Sequence, residues 1–330
     1  MILKRRMLPC LTGLLLMAAG VLAESWSTWL PYWKQQEALF EARELSNTME
    51  AFVAFEAMFD DKGNIIVPEE TVELLEELSD SGREVYLSLV NDIRQKDGSY
   101  AQKSKDFLQK TYASERNIDT HVVKILNLAD RYKPDGIEID YENIRKDTSL
   151  WENHARMISR LQEGLRQRGM KLRVVVEWMA GSVAELPEGP EYVVMCYNLY
   201  GSHSGPGPKA DAQFLSQCAE ASRGLPGAVN MAFAGGGFEW VNGKVSRQLT
   251  QLEAEAALEV RGVICERDGD SGALKGIFSE NGQTHEIWYA DGETLAIWRD
   301  VMKDAGYTRF SLWSLAGNDV ENLRNTCLKP

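Results

Sequence analysis

Residues 135–142 read DGIEIDYE, and four of these eight side chains are carboxylic acids. Glu138, Asp140 and Glu142 alternate with Ile137, Ile139 and Tyr141. In an extended strand successive side chains point to opposite faces. The three acids therefore project the same way, about 6.5 Å from one to the next, with an apolar face behind them. A half-buried edge strand with its acids in water gives the same alternation. In a closed barrel the pattern means something else, because the acids then point into a packed interior where unpaired carboxylates are costly. Glu142 would end such a strand on the C-terminal face, where barrel enzymes do their chemistry.

The elements needed to position these acids are legible along the chain. Short apolar runs at 26–33, 51–56, 84–90, 136–142, 172–178, 192–198, 229–234 and 309–314 read as strands. Amphipathic stretches at 69–79, 118–132, 151–168 and 209–223 read as helices between them. Eight strands with interleaved helices over about 300 residues predict an α/β fold, the (β/α)8 TIM barrel. A doubly wound sheet would need a glycine-rich phosphate loop after the first strand, and WLPYWKQQE supplies none. The extra length, 235–308, falls between strands seven and eight. Its helical TQLEAEAALEV and short strand-like pieces predict a small α+β insertion.

Composition narrows the function. The chain has 330 residues, is 44% hydrophobic and 26% charged, and fits a globular domain. Lys4, Arg5 and Arg6 precede an apolar stretch, Leu11–Leu22, ending in Val21-Leu22-Ala23. Residues 1–23 therefore read as a signal peptide, with 24–330 as an exported, unanchored mature domain and no membrane span. Removing 1–23 leaves 33 basic residues against 49 acidic ones, a net charge of −16. Such a surface argues against nucleic acid and anionic membrane as partners. Cys196, Cys218, Cys265 and Cys327 are scattered, with no metal-ligand spacing, and no pairing is named by the sequence. No metal or other cofactor is expected. The four histidines lie near no nucleophile-elbow motif, so a Ser-His-Asp hydrolase is poorly supported.

The acid-rich strand resembles the fourth strand of family 18 glycoside hydrolases, which carries DGxDxDxE. MCYN at 195–198 resembles that family's sixth-strand MxYD, and SLWSL at 311–315 its eighth-strand segment with a floor tryptophan. WLPYW at 29–33 and HEIWYAD at 285–291 resemble the branch of spore-cortex and cell-wall lytic enzymes. The likeness runs over residues 26–320. There are departures: Glu138 and Asn198 stand where the family has aspartates, and SLVND at 88–92 replaces a Ser/Gly-rich motif. These departures favour the cell-wall branch or an endo-N-acetylglucosaminidase over a plain chitinase.

The resemblance implies hydrolysis assisted by the substrate's own 2-acetamido group. Glu142 is then the acid/base, protonated near neutral pH because neighbouring carboxylates repel its charge. Asp140 orients the acetamide N–H, and Glu138 shares a proton with Asp140. Tyr197 bonds the acetamide oxygen, and Asn198 holds a sugar hydroxyl or Asp140. Trp313 floors the reacting sugar. Tyr32 and Trp33, with Trp29, supply aromatic platforms at the end of strand one, and Glu177, ending strand five, binds a hydroxyl. The expected partner is an N-acetylglucosamine-containing polysaccharide, peptidoglycan before chitin or N-glycan, and the expected state is a monomer. Two rival readings stand beside this one. One uses Glu239 as nucleophile in ordinary two-carboxylate retention; the other is a lectin-like barrel that binds sugar without cleaving it.

Overall fold

β-Branched and aromatic runs form strands where the pattern places them. The computed structural model describes residues 24–145 and 147–329, so the signal-peptide expectation for 1–23 lies outside the described residues. Eight strands line the barrel: β1 (Ser25–Pro31), β2 (Ala51–Asp60), β3 (Glu84–Arg94), β4 (Gly136–Asp140), β5 (Lys171–Glu177), β6 (Glu191–Met195), β7 (Ala228–Ala234) and β8 (Arg309–Trp313). Each pairs in parallel with the next, and β8 pairs with β1, so the sheet closes on itself. Closure leaves the eight strands without a free edge. The expected TIM barrel is what the chain forms.

The alternation on β4 has the barrel meaning. Ile137, Ile139 and Tyr141 are buried in the outer layer between strands and helices. There the Tyr141 hydroxyl meets His121 Nε2 at 2.8 Å. The inner layer is smaller and aromatic, with Trp29, Val53, Phe55, Tyr86, Val175 and Met195 among its members. Helices cover the outside as predicted, with boundaries set by caps. Ser114, Asp147 and Asp211 each accept a hydrogen bond from the first turn of the helix that follows. The last of these begins at Ala212, three residues later than the periodicity predicts, which leaves Lys209 outside it. Among the described residues no helix is long and apolar enough to cross a membrane.

Two strands end earlier than their apolar patterns. β4 stops at Asp140, because the Glu142 peptide bonds to a side chain instead of to a neighbouring strand. Its N–H donates to Asn91 Oδ1 at 3.0 Å, and its carbonyl accepts from Asn91 Nδ2 at 3.1 Å. β6 stops at Met195, and Asn198 beyond it has a left-handed backbone with φ of 68°. Asparagine tolerates that conformation better than most residues. The segment after β7 is an antiparallel sheet of Gly236–Val241, Lys244–Leu249, Glu266–Arg267, Leu274–Glu280 and Gln283–Ala290. A helix, Gln251–Glu259, starts at a Thr250/Glu253 capping box and packs on this sheet around Leu258, Ile287 and Tyr289. The helix Gly292–Asp304 belongs to the barrel instead, burying Leu295, Trp298 and Met302 in the outer core.

Candidate active site

The strand ends open into a cleft of about 460 Å³ at the C-terminal mouth of the barrel. Its lining includes Tyr32, Trp33, Asp140, Glu142, Tyr197, Asn198 and Trp313, so seven of the nine residues picked from the sequence converge there. The floor is aromatic. Trp313 meets Phe55 and Trp29 edge-on, with ring centroids 4.7 and 5.7 Å away. Trp33 stands at the rim, about half exposed, and packs edge-on against Tyr32 and Phe55.

Asp140 is the most constrained acid in the cleft. Its Oδ1 is buried and has no hydrogen-bond partner. Burial, then the charges of Glu142 and Glu138, push its carboxyl well above the usual range, against the pull of Lys103. Tyr197 stands beside these acids. Burial and the same three carboxylates push its hydroxyl well up, so it stays a proton-bearing donor. Glu142 is held by its backbone through Asn91, while its carboxylate pairs with Lys103 Nζ at 2.7 Å. Burial pulls the Lys103 ammonium down, but Glu142, Asp140 and Asp92 outweigh that and hold it above its ordinary value.

Glu138 does not have the expected role. It is fully buried beneath the cleft, and both of its oxygens are taken. Oε1 accepts from Trp29 Nε1 at 2.6 Å, and Oε2 accepts from Arg173 Nε at 3.0 Å. The two residues are register partners on neighbouring strands, β4 and β5. Arg173 also donates to Ser27 and Ser311 and lies over the Trp29 and Tyr86 rings. Glu138 is thus one half of an ion pair that fills the barrel interior rather than a proton-sharing partner of Asp140. It still acts on Asp140 through its charge.

Glu177 is not part of the cleft lining; its Oε2 is buried without a partner, and burial and Glu142 raise its carboxyl. Glu239 is further still from the chemistry expected of a nucleophile. Its carboxylate is held by Arg247 Nε and His285 Nδ1, both at 2.6 Å, within the inserted sheet. Burial raises that carboxyl, but these two partners together bring it below its usual value. The four cysteines at 196, 218, 265 and 327 are all free.

Several lining residues escaped sequence reasoning. Glu56 follows the inward-facing Phe55 on β2 and lines the cleft, and burial followed by the Asp92 charge pushes it up to about 8. Period two would set it with Phe52 and Ala54 on the outer face, and the register irregularity between Ala54 and Ala57 brings it to the cleft instead, so its position was not readable. Asp92, Tyr100 and Lys103 lie at strand ends or in connections without a period, Lys209 just before a helix the periodicity starts too early, and their place in the cleft is set by tertiary contacts.

No family model and no curated protein sequence matches this chain. Solved structures do. The spore cortex-lytic enzyme SleL of Bacillus cereus aligns with a TM-score of 0.75 at 17% identity, over 92% of this chain and 73% of that one. The chain has the chitinase-like barrel fold. A chitinase from Chromobacterium violaceum aligns at 0.76 and 17% identity, over 92% of this chain and 98% of the other. A class V chitinase from Nicotiana tobaccum, crystallised with NAG4, aligns at 0.75 and 12% identity, over 93% and 98%. At such identities the shared property is the chitinase-like barrel alone.

Proposed function

We propose that the chain is an exported glycosidase that hydrolyses β-1,4-linked glycans containing N-acetylglucosamine, peptidoglycan foremost, with retention and with help from the substrate's acetamide. The observation that carries this reading is the convergence of Glu142, Asp140 with its unpartnered buried oxygen, and the Tyr197 hydroxyl over the Trp313 floor. An orphaned buried acceptor is costly in the free protein. An acetamide N–H would satisfy it.

In that arrangement Asp140 accepts from the acetamide N–H and Tyr197 donates to its carbonyl oxygen. The oxygen is thereby aimed at the anomeric carbon. As the new C–O bond forms, the glycosidic bond breaks, and the Glu142 proton passes to the leaving oxygen. A cyclic oxazolinium remains, its positive charge facing Asp140. Glu142 then takes a proton from a water molecule that attacks the same carbon, and the acetamide is restored. Burial and like charge push the Asp140 carboxyl well above its usual range, which favours a proton held beside Glu142. Lys103 occupies the carboxylate that the leaving oxygen must reach. Its side chain is half exposed, so an entering sugar can displace it. That ion pair is also the one feature that favours a binding-only barrel.

The SleL and chitinase likenesses support the substrate class, and the open cleft suits a polymer chain. Residues 1–23 are taken as the leader removed on export, and the chain as a monomer. The test is reducing-end release from purified peptidoglycan, chitin oligomers and a high-mannose N-glycan, with the first-formed anomer read by NMR. Release of the β-anomer from one of them supports the reading; an α-anomer first product, or none from any glycan, overturns it.

A further inference from the structure

Among the described residues one arginine and one lysine side chain are nearly or fully buried, and they differ in one respect. Arg173 has Glu138. Lys209, 6% exposed, has no acid: its Nζ donates to the Gly235 carbonyl at 2.7 Å and lies 5.5 Å from the centroid of the Phe238 ring. An ammonium has three donors, so these contacts leave at least one unused. Burial alone accounts for its lowered basicity, down to about 8, with no charged neighbour contributing. A buried charge without a counter-charge is expensive, and one carbonyl bond does not offset it. If the only task were to hold the Gly235 carbonyl, an amide or a hydroxyl would serve without that cost.

The place of Lys209 says what the charge is for. It lines the cleft with Asn198, Phe238 and Gln248, on the side bounded by β6, β7 and the inserted sheet. The acids Glu56, Asp92, Asp140 and Glu142 line the same cleft, and the other lysine there, Lys103, is paired with Glu142. Against a chain carrying a net charge of −13, Lys209 puts an unpaired positive charge in the cleft lining.

We infer that Lys209 is a specificity-determining residue that binds a carboxylate carried by a sugar of the glycan chain, as in the 3-O-lactyl group of N-acetylmuramic acid next to the reacting N-acetylglucosamine. The inference rests on the proposed glycan-cleaving function and narrows its substrate. Chitin and N-glycan cores have no carboxylate at that position. Peptidoglycan has one on each N-acetylmuramic acid whose lactyl carboxyl no longer carries a peptide stem, so the substrate is narrowed to glycan strands stripped of their peptides. Displacement of water from a buried ammonium by a carboxylate gives a charge-assisted hydrogen bond, the stronger kind.

The experiment measures binding rather than turnover. Glu142→Gln protein is titrated calorimetrically with a tetrasaccharide of alternating N-acetylglucosamine and N-acetylmuramic acid, and with its lactyl methyl ester. The expected result is at least about tenfold tighter binding of the free acid. Adding Lys209→Gln, which keeps a donor for the Gly235 carbonyl but no charge, brings the acid-to-ester ratio close to one, whereas Lys209→Arg keeps the preference. Equal binding of acid and ester, binding of neither, or a preference that survives Lys209→Gln overturns the inference. The first comparison needs no change at position 209, so it stands even where the second variant folds poorly. Should the native chain cleave no glycan while the acid preference holds, the catalytic reading falls and this one remains.

Discussion

Replacing Arg173 with methionine tests the barrel interior most sharply. The guanidinium is fully buried, 3.0 Å from Glu138 Oε2, 2.9 Å from Ser27 Oγ and 3.2 Å from Ser311 Oγ. Methionine fills much of the volume but leaves Glu138 as a buried carboxylate whose remaining direct partner here is Trp29 Nε1. Removing one member of a buried pair costs about 3–5 kcal/mol. For a domain of this size that is a fall in Tm of roughly 6–10 °C. The loss depends on pH with a definite sign. Burial already holds the Glu138 carboxyl above its ordinary value, and Arg173 is the first of the influences pulling it back. Without Arg173 the folded-state value rises further. Below the ordinary carboxylate range Glu138 is protonated in folded and unfolded chains alike, so the deficit is smallest there. As pH rises past the native folded value, Glu138 ionises in the native protein but not in the variant, and the deficit grows by about 1.4 kcal/mol per pH unit until the variant's higher folded value is passed. The assay is urea denaturation of native and Arg173→Met protein at pH 4, 6 and 8. Adding Glu138→Gln to Arg173→Met should recover much of the loss, because no charge is then stranded. A deficit below about 1 kcal/mol at pH 8, a deficit that shrinks as pH rises, or a double variant weaker than the single would refute this account of the ion pair.

Three further outcomes follow from the same geometry. Asn91→Ala frees both backbone groups of Glu142, and a misplacement of about 1 Å costs on the order of 10²-fold in kcat; steady-state kinetics with kcat unchanged would contradict this. Lys103→Met removes the charge that pulls Asp140 down, so the alkaline limb of kcat/KM should move to higher pH in a profile over pH 5–9. A limb that stays in place or moves down counts against the coupling. Glu41→Ala removes the carboxylate that accepts from the Ala316, Gly317 and Asn318 N–H groups and from Asn318 Nδ2. With those donors unpaired beside Trp313, stability should fall by about 3 kcal/mol in urea and KM should rise; unchanged values of both would show that the loop needs no such anchor.

The barrel could be read from the sequence because its information is local. Each strand is a short run with its own alternation, and each long helix has a 3.6-residue period. The acid-rich β4 was legible in the same way, since period two alone puts Glu138, Asp140 and Glu142 on one face. Which face is buried, and against what, depends on closure of the sheet. So the sequence could not say that Glu138 would meet Arg173. That contact comes from the register between β4 and β5 and from the reach of a glutamate, one methylene longer than an aspartate. The ends of β4 and β6 were overextended because Tyr141 and Tyr197 continue the apolar pattern after the ladder has stopped. Asn91 is the cause at β4, and it lies about 50 residues away along the chain. Lys103 reaches the cleft from a connection with no period, and Lys209 from just before a helix that the periodicity starts three residues too early, so only the folded chain brings them there.

The central claim is that Glu142 carries the acid/base step. The measurement that tests it most directly is kcat of Glu142→Gln beside native protein, on the same N-acetylglucosamine-containing glycan, with thermal melting run on both. The account predicts a loss of about 10²–10⁴-fold with melting unchanged. A Glu142→Gln protein within about tenfold of the native rate, equally folded, would contradict it.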